Sequence, residues 1–572
     1  MRRFNLLWIF IFCSILSPFA WSQSQTSFPE DLVVHFDKAF YAAGEDVWFS
    51  VKFLDAAHPS NVVYTELIGP DGTFLSHQIL LADGMVASGD LPLSPDLPTG
   101  YYEFRAFTSW NLQFTPQMVY RTYILIYHPK DAVLPGVPAP LDAYAPAVSQ
   151  HIRLNMNAHE FGRRDSVSLS ISPASLGVSG MTGQVSLSVM DVRYVQSADH
   201  SSSEQSFDEL RTNYVAHPEF FEPEKEYTLR FRMRYPTDQQ LVNSSFVYAF
   251  VKATQQKVIQ KAYDGLVTFS FGEFYDSTVV QVFDADPFRR PYIPDIGLLP
   301  PPRPDIPPSP LDSEPPMNAA VGHYLALFRQ RFQVNALFES NQQIRALRPK
   351  RKLLDLTPTS AYPVKDFPAV RTMDDFFKQI VNPASIKRAK RRDRKFGNNA
   401  RRFKLYIPHK FPLSPKEVKK PPLLLVNDYF TYDSDAILNT DWYDIEQVDV
   451  FNTANQLPVQ FGPIGSFGVI AFYTYDGETP DRIKDAPNNL KVQGFYRPRR
   501  FPAPTPVLNQ DLSKIPFLSP LMYWSPNISL NSSQTTTINF LTGDQKGKYL
   551  VRVQGFWADG RPILGETVIE VR

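Results

Sequence analysis

Residues 421–475 read PPLLLVNDYFTYDSDAILNTDWYDIEQVDVFNTANQLPVQFGPIGSFGVIAFYTY. Leu423–Val426 is a short apolar run with the length of one buried strand. Asn427-Asp428 interrupts it as a tight turn would. Ile445-Glu446-Gln447-Val448-Asp449-Val450 alternates apolar with polar residues, the pattern of a half-buried strand. Phe461 to Gly468 then sets Gly462, Gly465 and Gly468 in a bend before a closing strand, Val469 to Thr474. These features predict a small α+β unit with a glycine turn ahead of its last strand.

The order and wording of these segments resemble the plug domain of TonB-dependent outer-membrane receptors. The residues that carry the resemblance are Leu424-Leu425-Val426-Asn427-Asp428, then Ile445 to Val450, then Phe461-Gly462 through Gly468-Val469-Ile470. Asn427 and Tyr429 stand where the family usually has Asp and Gly. About a hundred residues follow Tyr475, whereas a large receptor barrel uses about 22 strands of roughly 9–11 residues each. The expectation is a plug-like unit without a barrel of its own.

Working outward, Thr372-Met373-Asp374-Asp375 fits a capping-box variant that starts a short helix, with Met373, Phe376, Phe377, Ile380 and Val381 on its apolar side. Between this helix and Leu423 lies a basic cluster: Lys387, Arg388, Lys390, Arg391, Arg392, Arg394, Lys395, Arg401 and Arg402, followed by Lys404. Two readings stay open, a solvated loop and a contact for anionic lipid, lipopolysaccharide or an acidic partner. The formal net charge of the whole chain is zero, which gives no global field for nucleic acid.

Residues 1–22 have Arg2-Arg3, an apolar core from Leu6 to Phe19 and then Ala20-Trp21-Ser22, the layout of a secretory signal. Cys13, the one cysteine, lies inside it. Ile11-Phe12 stand before Cys13, where a lipoprotein signal wants small residues. A chain cut after Ser22 has no cysteine, which excludes disulfides, thiolate metal sites and cysteine nucleophiles.

Residues 28–128 alternate in the manner of an antiparallel sandwich. Asp37-Lys38-Ala39-Phe40-Tyr41 with Gly44-Glu45-Asp46-Val47, then Leu67 to Gly72 and Leu97 to Ala106, resemble the second macroglobulin-type domain of the α2-macroglobulin superfamily. The reactive thioester of that superfamily needs a cysteine, so the resemblance does not extend to a covalent protease trap. Val167, Leu169 and Ile171, and then Val185, Leu187 and Val189, alternate with small or polar residues, and Tyr227–Met233, Phe246–Val251 and Val279–Phe283 add further strands. Arg230, Arg232 and Arg234 share one face, as an anionic docking stripe or a solvated face. The proline-dense stretch from Pro287 to Pro316 reads as an extended linker, because proline lacks the N–H that a ladder needs. Val321, Leu325, Phe328 and Phe332 then fall on one helical stripe. Tyr523-Trp524-Ser525-Pro526-Asn527, with the glycines near Tyr549 and Asp559-Gly560, resembles the late domains of bacterial macroglobulin-like envelope proteins. A secretion-sorting domain is the other reading.

Candidate chemistry is sparse. Gly543 to Tyr549 is one residue short of a phosphate loop and has Tyr where Ser or Thr should hold magnesium. The ten histidines form no H-x-x-x-H pair. No catalytic, metal or cofactor residue is expected. The expected organisation is mainly β and multi-domain, with antiparallel sandwiches plus one α+β plug-like unit. The divisions are 1–22 signal, 23–135 macroglobulin-type sandwich, 145–290 one or two further sandwiches, 291–316 proline-rich linker, 317–350 helical segment, 365–480 plug-like unit and 495–572 terminal sandwich. The expected role is a non-catalytic exported protein at the periplasmic face of an outer membrane, scaffolding envelope proteins or docking under a separately encoded outer-membrane barrel. A hydrolase or protease inhibitor is the remaining alternative.

Overall fold

The computed structural model describes residues 29–572 except 55–57, 59, 115–117, 132–151, 175–179, 196–222, 237, 244, 286–293, 310, 312, 314, 340–355, 389–400, 408–420 and 505–515. It is mainly β, with several sandwiches and one α+β unit.

The first sandwich sets strands Leu32–Phe36, Asp46–Phe53 and Val86–Pro92 against Phe74–Asp83, Val62–Ile68, Gly100–Phe107, Tyr120–Tyr127 and Phe40–Ala42. Alternation sends Val47, Phe49, Val51 and Phe53 into its core. The other face of that strand is buried too, because a second sandwich covers it. Ser50 Oγ donates to the Pro526 carbonyl at 2.9 Å, and Lys52 Nζ donates to the hydroxyls of Ser50 and Ser186 at 2.8 and 2.7 Å. His35 Nδ1 shares a hydrogen bond with Ser186, and its ring packs edge-on to Trp524. Burial pulls Lys52 down to about 7. Burial, then Lys52 and Arg552, holds His35 well below the usual imidazole range.

The second sandwich is built from two parts of the chain far apart in sequence. Thr182–Asp191 lies between Leu521–Asn531 and Gly547–Trp557, and Pro562–Val571 and Glu160–Phe161 extend the same sheet. Facing it are Thr536–Leu541, Ser166–Pro173 and Ile152–Met156. Residues 521–571 therefore do not stand as a separate terminal domain. They close the sandwich that residues 152–191 begin. The reason is burial: Val167, Leu169, Ile171, Val185, Leu187 and Val189 are covered by Met522, Tyr549, Val551, Val553 and Trp557 from the late strands.

The third sandwich is closed in the same manner. Tyr227–Arg234, Leu266–Phe271 and Asp295–Leu298 face Gln256–Lys261, Phe246–Val251, Ser277–Asp284 and, from beyond the α+β unit, Asn489–Gln493. The Arg230, Arg232 and Arg234 stripe is on its outer face, with Arg230 paired to Glu224 at 3.2 Å and Arg234 donating to the Gln239 carbonyl.

The proline-rich stretch is not a free linker. Asp295–Leu298, which holds no proline, is an edge strand on Tyr227–Arg234. Farther on, the chain lies against the first sandwich and uses the groups that proline keeps, its carbonyls. Arg105 donates to the Ile306 and Pro307 oxygens at 3.1 and 3.0 Å. Tyr123 and Tyr127 donate to Ser309 and Pro316 oxygens at 2.7 and 2.6 Å. Ser309 N–H, one of the few donors left, bonds Glu103 at 2.9 Å.

Helix Ala319–Glu339 follows, capped by the Asn318 side chain on Val321 N–H. Val321, Tyr324, Leu325 and Phe328 are buried between the first and second sandwiches, together with Trp48, Tyr127, Tyr194 and Trp524. Phe332, the fourth residue of the expected stripe, is 57% exposed. Residues 340–350 of the expected helical segment lie outside the described residues.

Candidate interaction site

Residues 421–475 form a five-stranded sheet with Ser360–Pro363, in the order Ser360–Pro363, Ile445–Phe451, Val469–Thr474, Leu423–Val426, Tyr429–Thr431. Val469–Thr474 is central, antiparallel to Ile445–Phe451 and parallel to Leu423–Val426. One face carries Leu424, Val426, Val448, Val450, Ile470 and Phe472. It is covered by helix Met373–Gln379 and the hairpin Ala384–Arg388 with Arg401–Leu405, through Phe376, Phe377 and Phe403. The helix begins as expected, with Thr372 Oγ1 accepting from Asp375 N–H at 3.1 Å. The opposite face carries Leu423, Leu425, Val469 and Ala471 and packs on Tyr248, Phe250 and Phe283 of the third sandwich. Burial on both faces explains why LLLV is a continuous apolar run rather than an alternating one.

Asn427 and Asp428 form the two-residue turn between Val426 and Tyr429, and Asn427 takes a left-handed φ of 53°. Its side chain is buried and fastens the sheet. Oδ1 accepts from Thr474 N–H at 3.0 Å, and Nδ2 donates to the Glu478 carbonyl at 2.9 Å. An aspartate here could accept the first bond but not donate the second, which gives the asparagine a structural reason. Asp428 turns the other way and pairs with Lys252 of the third sandwich at 2.9 Å. Lys252 Nζ also lies 3.4 Å from the centre of the Tyr429 ring. The turn is thus a joint between the two units.

The glycines answer to packing. Gly468 has φ 83°, and a Cβ there would fall 2.3 Å from Leu405 Cδ2. Gly462 has φ 62°, and its Cβ would approach the Tyr248 ring to 3.0 Å. At Gly465 a Cβ would lie 2.4 Å from that of Phe461.

The outer strand of the sheet has its backbone satisfied by a side chain. Gln281 Oε1 accepts from Phe430 N–H at 2.9 Å, and its Nε2 donates to the Phe430 carbonyl at 3.2 Å. Gln281, Lys252 and Tyr248 were not singled out by the sequence reading. The available signal was Phe246-Val247-Tyr248-Ala249-Phe250-Val251, which is apolar on both faces and so asks for cover on both.

The basic residues separate into two groups. Lys387 stands directly opposite Arg402, and Arg388 opposite Arg401, at the end of the hairpin from which residues 389–400 lead off. Lys387 and Arg388 are exposed, and Arg401 forms an ion pair with Asp374. Lys390, Arg391, Arg392, Arg394 and Lys395 lie in 389–400, outside the described residues. Like charges directly opposite on a ladder are unfavourable unless something offsets them.

Among the described residues, no group of three or more His, Cys, Asp or Glu side chains is placed to hold a metal ion, and no helix is long and apolar enough to cross a membrane.

Comparison with known proteins finds no matching family model and no matching curated protein. Among solved structures, the chain is similar to Escherichia coli alpha-2-macroglobulin activated by porcine elastase, at 12% identity over 95% of this chain and 44% of that one, with a TM-score of 0.24. It is similar to the native conformation of E. coli alpha-2-macroglobulin at 10% identity, over 96% of this chain and 40% of that one, again with a TM-score of 0.24. Salmonella alpha-2-macroglobulin reacted with methylamine matches at 12% identity, over 95% and 39% of the two chains, with a TM-score of 0.24. The chain spans less than half the length of each.

Proposed function

We propose that the chain is a non-catalytic exported protein that scaffolds other envelope proteins at the periplasmic face of an outer membrane. In this reading the sandwiches are the frame. The plug-like unit is the part presented, and its basic hairpin is the contact. The observation that carries it is the placing of Lys387 opposite Arg402 and Arg388 opposite Arg401, beside the connecting residues 389–400. Asp374 offsets Arg401, and the exposed Lys387 and Arg388 beside it would be favoured against an anionic headgroup, lipopolysaccharide or acidic protein surface.

A second reading is a docking subunit for a separately encoded TonB-dependent-type barrel, and it rests on the strand and glycine pattern of residues 421–475. The third sandwich occupies one face of that sheet. A unit so covered suits docking beneath a barrel better than filling one.

Cross-linking in native envelopes, followed by identification of the linked proteins, separates the two: soluble partners support the scaffold and a barrel supports docking. Replacing Lys387, Arg388, Lys390, Arg391 and Arg392 by Glu is expected to release the protein from the membrane fraction. Unchanged fractionation would refute the basic contact.

A further inference from the structure

Five large apolar side chains remain exposed around one edge of the third sandwich: Leu241 at 38%, Phe246 at 55%, Ile259 at 45%, Tyr263 at 64% and Leu266 at 42%. They are neighbours. Leu241 sits against Gly265, Tyr263 bridges to Leu266, Phe246 stands opposite Lys261, and Ile259 stands opposite Tyr248. Contiguous apolar surface of this kind marks an interaction site more often than chance exposure does.

The strand beneath them, Gln256–Lys261, is the edge of its sheet. Phe246–Val251 pairs with one side, and among the described residues no strand pairs with the other. An open edge is a template for an added strand. The face is also continuous with an interface that already exists: Tyr248 and Phe250, two and four residues beyond Phe246, are covered by the plug-like unit, and Phe246 and Ile259 lie where that cover stops.

Charge narrows the occupant. Lys257, Ile259 and Lys261 share this face, so it reads cation, apolar, cation. Lys257 Nζ donates to the Gln460 carbonyl, and Lys261 Nζ lies 5.3 Å from the centre of the Tyr263 ring. A second copy of this chain is a poor partner, because a two-fold pairing centred on Ile259 would set Lys257 opposite Lys261 of the copy.

We propose that the outer edge of Gln256–Lys261 receives an extended acidic–apolar–acidic segment of another protein as an added β-strand. Its main chain continues the ladder, its carboxylates meet Lys257 and Lys261, and its apolar side chain covers Ile259 and Phe246. This surface is separate from the basic hairpin, and the inference stands whether or not the hairpin binds a membrane.

The test is fluorescence anisotropy of a labelled, end-blocked Thr-Glu-Thr-Val-Thr-Glu-Thr peptide, which sets Glu, Val and Glu on one face of a strand, titrated with residues 23–572. Saturable binding is expected, with none for the counterpart that has Lys in place of Glu and none when alternate peptide nitrogens are methylated. Lys261→Glu leaves the Lys257 contact intact. It is expected to weaken the acidic peptide by about fivefold or more and to admit the lysine peptide. No saturable binding, equal binding of the methylated peptide, or indifference to Lys261→Glu with an unchanged melting temperature would overturn the proposal. So would a concentration-dependent dimer that the peptide displaces, which would assign the edge to a second copy.

Discussion

Replacing Gly555 by alanine is expected to destabilise the protein by about 3 kcal/mol or more. Gly555 lies in Gly547–Trp557, directly opposite Val185 of Thr182–Asp191. A Cβ at Gly555 would fall 2.1 Å from the Gln184 carbonyl oxygen and 2.8 Å from the Val185 Cα. Both are backbone atoms at the centre of a sheet and cannot swing away as a side-chain tip can. The strands must part. They are also the seam between the early and late halves of the second sandwich, so both halves lose their cover together. Gly272→Ala is the control: its nearest contact would be Gln256 Oε1 at 3.8 Å, and it should be neutral within about 0.5 kcal/mol. Urea denaturation of the two variants checks the contrast.

Glu45→Gln is expected to cost about 3–5 kcal/mol and to loosen helix Ala319–Glu339 from the sandwiches. Glu45 is buried, and its oxygens accept from Lys38 Nζ at 3.0 Å, Ala42 N–H at 2.9 Å, Tyr324 OH at 2.6 Å and Arg331 Nη2 at 2.6 Å. An amide would take from buried Lys38 and partly buried Arg331 the carboxylate they share and would turn its own donors toward donors. Burial opposes the charge on Glu45, but Lys38 and Arg331 outweigh it and bring the carboxyl down to about 2. The sign follows from that depression. The contribution of Glu45 is present above its ordinary value of 4.5 and is lost as pH falls toward about 2. Neighbouring Asp37 runs the other way: burial raises it to about 7, so its contribution fades as pH rises from 3.8 to about 7. The denaturation midpoint of the wild type should therefore fall between pH 4.5 and 2, and that of Glu45→Gln should fall less. Hydrogen exchange in residues 319–339 should speed up in the variant.

What the sequence made legible was local. The run at Leu423–Val426 declared a buried strand, Thr372 declared a helix start, and the glycines before Val469 declared a bend. Each depends on a side chain and its near neighbours along the chain. What stayed hidden was long-range. Val185, Leu187 and Val189 show that one face is buried, but their pattern is the same whether cover comes from the next strand or from Val551 and Val553 more than 350 residues on. The short stretch Asn489–Gln493 likewise gives no sign that it returns as a strand to Ser277–Asp284. The proline-rich stretch misled for a chemical reason. Counting missing N–H donors says what it cannot do, and says nothing of carbonyls that Arg105, Tyr123 and Tyr127 can reach. In the candidate site, Asn427 and the basic hairpin were visible as a motif and a charge run. Thr474 and Glu478, which hold Asn427, and Asp374, which pairs with Arg401, come from elements that only the fold brings near.

The architecture depends on the second sandwich being closed by the late strands, since the third sandwich and the α+β unit are inserted in sequence between its two halves. Thr182 and Asn531 are register partners across that closure, and facing positions on an antiparallel pair bring their Cα atoms to about 4.5–5.5 Å, within disulfide range. Residues 23–572 contain no other cysteine. Thr182→Cys with Asn531→Cys, oxidised and digested, should yield a disulfide-linked peptide joining the two positions. Recovery of both thiols free, in a protein that melts as the wild type does, would contradict this assembly.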